Sequence, residues 1–183
     1  MTPLVPGVAG LLLLIVFTAA VYDIRFRRIP NWLNVTGIVL GFALNVFLAE
    51  RPLQGVKNSA IGLGCAFGVY FIFYLIHAMG AGDVKLMAAV GTIVANPRDW
   101  FGIFLATALI GGVFALVLLL FRRRLKKTAW NVAFLLSEIG HGRAPYMASE
   151  ELDVKSSKSV KLPHGFTIAV GCLAFVIFGI VHK

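Results

Sequence analysis

Five stretches of the chain carry no Asp, Glu, Lys or Arg: residues 1–22, 32–49, 58–82, 100–121 and 162–181. A helix needs about 20 apolar residues to cross the hydrocarbon core of a bilayer, and each stretch contains a segment close to that length. That pattern decides the solvent. Of 183 residues, 59% are hydrophobic and 14% charged, against roughly 45–50% and about 25% in soluble domains. A water-facing globule of this size has nowhere to hide so much apolar surface. The expected fold class is an all-α integral membrane protein, a single membrane domain over residues 1–183.

A sixth run, residues 86–97, is shorter, and at around 12 residues it reads either as a crossing or as a re-entrant element. The basic residues choose between them. With six spans, Arg25, Arg27 and Arg28 fall on the same side as Arg122, Arg123, Arg124, Lys126 and Lys127. Lys85, Arg143, Lys155, Lys158 and Lys161 join them, leaving Arg51, Lys57, Arg98 and Lys183 opposite. With five, the two clusters face opposite compartments. Because cytoplasmic loops concentrate Lys and Arg, the expectation is about six transmembrane helices with both termini on the non-cytoplasmic side. A basic cytoplasmic segment then covers about 122–161. The formal net charge of +9 follows from that topology, so the expected partner of the charge is the lipid bilayer and no nucleic acid is implied. The first ten residues lack the basic region of a signal peptide, and the first run is read as a retained span. Residues 130–136 read equally as an amphipathic surface helix or as a solvated connector.

Cys65 and Cys172 lie inside apolar runs. They exclude a disulfide framework and a paired CxxC zinc module, and both are read as buried thiols; no metal site is expected.

Most of the eight acids fall in loops, but Asp23 ends the first apolar run and Asp83 sits where the third span turns into the fourth, the short run at 86–97. An Asp at a helix centre costs on the order of 2.5–3.5 kcal/mol on insertion scales, so acids at the membrane edge are functional candidates. Asp23 ends an inward span and Asp83 begins an outward one, which puts both at a similar depth near the cytoplasmic face. Two carboxylates at one depth can share a proton, one serving as general base toward a water and the other as general acid. Such a pair needs no metal and no cofactor. Simpler readings stand beside this one: Asp23 as a charge at a span end, Asp83 as a helix N-cap, Gly80 and Gly82 as turn residues. Lys85 falls about 200° around a helix from Asp83 and is expected to reach for the interface. Pro30-Asn31 is a helix-start signal, and His77 reads as a polar residue at the membrane interface.

These residues resemble a known family. Asp23 followed by Ile29-Pro30-Asn31 is similar to the first signature of type IV prepilin peptidases, and Gly80-Ala81-Gly82-Asp83-Val84-Lys85-Leu86 to their second, GxGD with a following Lys-Leu. Leu162-Pro163-His164-Gly165-Phe166 is similar to the entry of the family's last helix, with His164 where an aromatic is usual. The resemblance implies a membrane aspartyl endopeptidase in which Asp23 and Asp83 are catalytic, supported by Ile29, Pro30, Asn31, Gly80, Gly82 and Lys85. It implies a prepilin or pilin-like substrate, cut at the cytoplasmic face of the bacterial inner membrane to remove a short basic leader. The compact form is most similar to peptidases of tight-adherence pilus systems, with archaeal preflagellin peptidases close by. The paired CxxC motifs of bifunctional members are missing from this sequence, so N-methyl transfer and S-adenosylmethionine are not expected. Two other classes compete: a proton-coupled transporter using the same acids, disfavoured by spans without ionisable residues, and a non-catalytic pilus-assembly subunit.

Overall fold

The computed structural model describes residues 4–76, 79–121 and 164–181. Among them run six helices: α1 (Pro6–Phe26), α2 (Asn31–Leu48), α3 (Pro52–Leu75), α4 (Ala81–Val94), α5 (Pro97–Phe121) and α6 (His164–Val181). Five are long and apolar enough to cross a membrane, α4 being the exception. The chain is therefore a multi-pass membrane protein, all-helical over the described residues. His77 and the 122–161 segment, including residues 130–136, lie outside the described residues.

Local chemistry sets the helix boundaries. Proline stands at the first helical positions of α1 and α3, where its missing N–H has no partner to lose. Lys57 falls inside α3, which begins six residues before the uncharged run; a lysine near a span end extends its ammonium to the interface. α1 stops at Arg27, whose φ of 51° is left-handed and whose N–H caps the Asp23 carbonyl at 2.8 Å. Pro30, at φ −67°, then caps α2 from outside, one residue earlier than an N-terminal helical proline.

The short run at 86–97 becomes α4, the axis of the bundle. At 14 residues it is about 21 Å long, but eleven of those residues are buried. It touches each of the other five described helices. Surrounded by protein, it has no need to match the lipid thickness.

Small residues allow this close approach, as they do in membrane bundles generally. Gly62 of α3 and Gly91 of α4 meet backbone to backbone, with no room for a Cβ on either. Gly37 and Gly41 of α2 lie against Ala89 and Ile93 of α4. Asn45 closes the far end of that contact, its Nδ2 donating to the carbonyls of Gly41, Thr92 and Ile93 at 2.9–3.1 Å. The last carbonyls of α4, which the helix itself leaves unpaired, thus find a donor on α2. Of the two cysteines, Cys172 is buried as expected while Cys65 is exposed. The buried stripe of α3 runs Gly55, Ser59, Gly62, Ala66, Tyr70, and Cys65 lies off it.

Candidate functional site

The signature residues gather at one end of the bundle, where α1 stops and α2, α4 and α6 begin. Asp23 lies in the last turn of α1, half-buried, and its Oδ2 accepts the N–H of Gly165 at 2.8 Å. The first turn of α6 has N–H groups with no intrahelical acceptor, and Asp23 takes one of them. A Cβ on Gly165 would lie 3.0 Å from the Asp23 Cβ and 3.1 Å from its Oδ2, so glycine is what lets α6 sit this close.

Asp83 is the third residue of α4 and 8% exposed. The N-cap position, an expected place for Asp83, belongs instead to Gly80. The carboxylate reaches back to the Gly80 N–H at 3.3 Å while the Asp83 N–H bonds the Gly80 carbonyl at 3.1 Å. This is the reciprocal arrangement of an acid at the third helical position. A side chain on Gly80 would crowd the Asp83 carboxylate at 3.3 Å, whereas one on Gly82 would meet Ile29 at an ordinary 3.4 Å. The two glycines of GxGD are not equivalent here.

Two contacts join the first signature to the second. Ile29 lies against Gly82, and Lys85 Nζ donates to Asn31 Oδ1 at 2.9 Å. Lys85 therefore meets the loop at the start of α2 and does not stack on Asp83. Asp23 and His164 are both within electrostatic reach of Asp83, so ionisable groups from α1, α4 and α6 lie near one another. Tyr70, buried on α3 with its ring edge-on to Trp100 and Phe104, is also within reach of Asp83. In the sequence Tyr70 is indistinguishable from the other aromatics of an apolar run. Gly165 carries a better signal, sitting in the motif that opens the last span.

A cavity of about 400 Å³ lies at the same end of the bundle, lined by Tyr22, Phe26, Arg28, Ile29, Pro30 and Asn31. Its walls are mainly apolar, with one guanidinium and one amide. Among the described residues no three of His, Cys, Asp and Glu converge as metal ligands would.

Residues 10–116 match the model of a family described as the type IV leader peptidase family. The chain belongs to that family. The matched region holds most of α1, all of α2 to α4, most of α5, and both Asp23 and Asp83. Among curated relatives, a prepilin leader peptidase/N-methyltransferase of Vibrio cholerae is 31% identical over 87 residues, 44% of this chain and 33% of the relative. A protein of the same name from Klebsiella pneumoniae is 32% identical over 96 residues, 50% of this chain and 42% of the relative. A preflagellin peptidase of Methanocaldococcus jannaschii is 30% identical over 91 residues, 48% and 36% respectively. The matches thus span between a third and about two-fifths of those relatives' lengths. No solved structure matches the chain.

Proposed function

We propose that this type IV leader peptidase family member is an aspartyl endopeptidase that removes the leader of prepilins or pilin-like proteins, with Asp23 and Asp83 as its catalytic pair. The observation that carries the reading is the convergence of the two acids at one end of the bundle. Each is held by a backbone N–H, of Gly165 and of Gly80. One carboxylate takes a proton from a water as its oxygen bonds to the scissile carbonyl carbon. The other, protonated, gives its proton to the carbonyl oxygen; as the C–N bond breaks, the first passes the proton it took from water to the departing amine and the second recovers one from a hydroxyl of the tetrahedral intermediate. General acid–base help of this kind contributes typically 10²–10⁴-fold. Ile29, Pro30, Asn31, Gly80, Gly82 and Lys85 keep the two signatures in register through the Ile29–Gly82 and Lys85–Asn31 contacts.

In this account the acid end of the bundle faces the cytoplasm, because Arg25, Arg27, Arg28 and Lys85 all lie there. The host membrane is the bacterial inner membrane. The cavity between the end of α1 and the start of α2 suits an apolar substrate side chain, since Arg28 in its wall opposes a basic leader. The test is co-expression with the prepilins of the source organism, following leader loss by mass for wild type, Asp23→Ala and Asp83→Ala, each checked for membrane level. Cleavage by wild type only supports the proposal. No cleavage of any pilin-like protein by any form transfers support to a non-catalytic role in pilus assembly.

A further inference from the structure

Asn34, in the first turns of α2 at the end of the bundle that holds the acids, is a buried side chain with no hydrogen-bond partner among the described residues. It is 2% exposed, and the lack covers both its Nδ2 and its Oδ1. Buried polar groups are nearly always satisfied, and the exceptions call for a specific explanation such as an ordered water. A side-chain amide offers two donors and two acceptor lone pairs. Leaving all of them empty in a bundle core is costly, whereas Leu or Val would fill the same space without that cost.

The helix register sets Asn34 a few ångströms deeper along the bundle axis than the two acids. Gly37 of α2 lies against Ala89 of α4 and Ile15 of α1, its added Cβ falling 3.1 Å and 3.3 Å from their side chains. α2 and α4 both start at the acid end, so three residues back from this contact Asn34 is level with Leu86. Asp83 is three residues further, about 4.5 Å along the axis. On α1, which runs the other way, the level of Asn34 is near Thr18, and Asp23 lies about 7.5 Å beyond it. Helical side chains lean toward the N-terminus of their own helix, and for α2 that is the acid end. Asn34 shares a face with Asn31, three residues away, which Lys85 bonds from α4.

We propose that Asn34 holds a water molecule between its amide and the two carboxylates, which makes it a positioning residue of the site. A buried water of this kind typically makes about three hydrogen bonds, here to the amide on one side and to carboxylate oxygens on the other. Through it α2 braces the acids against movement as substrate enters. The kinetic part of this inference rests on the peptidase reading; the stability part does not.

The experiment compares wild type, Asn34→Leu and Asn34→Ser as full chains in lipid nanodiscs, measuring Tm and prepilin cleavage. Leu removes both polar atoms, while Ser keeps a hydroxyl and leaves room for the water. With a bridging water, Asn34→Leu leaves the water's other partners unmatched. It lowers Tm, and it lowers kcat about tenfold or more with KM little changed, the scale that a sub-ångström loss of positioning produces. Asn34→Ser stays within about threefold of wild type, since a water-mediated bond is nearly as good as a direct one. A raised Tm for Asn34→Leu, the response of a truly orphaned amide, overturns the proposal, as does a wild-type kcat. Should Asn34→Leu not insert, Asn34→Ser decides alone, a raised Tm or a tenfold loss of kcat counting against the water. If wild type cleaves no prepilin, the peptidase reading fails, and the sign of the Tm change still settles whether Asn34 holds a water.

Discussion

Gly165→Ala is the sharpest perturbation the site offers, because it adds one methyl group beside one acid. The new Cβ would lie 3.0 Å from the Asp23 Cβ, 3.1 Å from Oδ2 and 3.3 Å from Cγ. Non-bonded carbons settle at about 3.5–4.0 Å, so α6 and the end of α1 must part by roughly 0.5–1 Å. The neighbour is the short Asp23 side chain on a rigid helix, with no flexible end to swing away. Separation stretches the 2.8 Å bond from the Gly165 N–H to Asp23. A hydrogen bond to a charged group is worth about 1.5–3 kcal/mol, and overpacking of a tight contact costs typically 1–3 kcal/mol. Since a 1 Å misplacement can cost about 10²-fold in rate, the variant should insert normally, lose about 1–3 kcal/mol of stability and fall about a hundredfold in kcat. Gly112→Ala, on α5 with nothing within 4 Å of the added Cβ, is the control and should keep wild-type kinetics. Cleavage rates on a purified prepilin in nanodiscs, with thermal unfolding in parallel, check both values. A Gly165→Ala variant with wild-type kcat would refute the idea that α6 positions Asp23.

Three further outcomes follow from the same geometry. Gly91→Leu, at the backbone contact of α3 and α4, should unfold the bundle at markedly lower temperature, by overpacking of about 1–3 kcal/mol or more, and a Tm within a degree of wild type would contradict that crossing. The Lys85–Asn31 bond is exposed; a double-mutant cycle of Lys85→Met and Asn31→Ala should give a coupling below about 1.5 kcal/mol in stability, and near-additive effects on kcat would show that the bond does not link the signatures. The cleavage rate should fall on both the acid and the alkaline side of an optimum, as expected of two carboxylates that hold one proton between them, and a rate flat across both limbs in an intact protein would exclude shared-proton chemistry.

The long spans were legible because an uncharged run near 20 residues has few other fates in a chain this apolar. The shorter run at 86–97 needed charge parity to be read as a crossing, and parity says nothing of its position in the bundle; at 14 residues α4 falls short of the length of the other five helices. That α4 is the buried axis depends on Gly62, Gly91, Gly37 and Gly41 matching across three helices, a tertiary fit that no single helix encodes. The common end of Asp23 and Asp83 was readable from the direction of their spans. The groups that hold them were less so: Gly165 is 142 residues from Asp23, and Lys85 bonds a side chain 54 residues back. Cys65 illustrates the same limit on a small scale, since an apolar run shows that a residue meets apolar surroundings and not whether they are protein or lipid.

The central claim is that Asp23 and Asp83 act as one unit, and single-turnover cleavage of a prepilin by Asp23→Asn, Asp83→Asn and the double variant tests it most directly. Asparagine keeps an oxygen for the Gly165 and Gly80 N–H groups while removing the carboxylate. Residues of one catalytic unit are strongly non-additive, so each single variant should lose about a thousandfold or more and the double variant should be no slower than either. Retention of a tenth or more of the wild-type rate by either properly inserted single variant, or losses that multiply in the double, would contradict the pair.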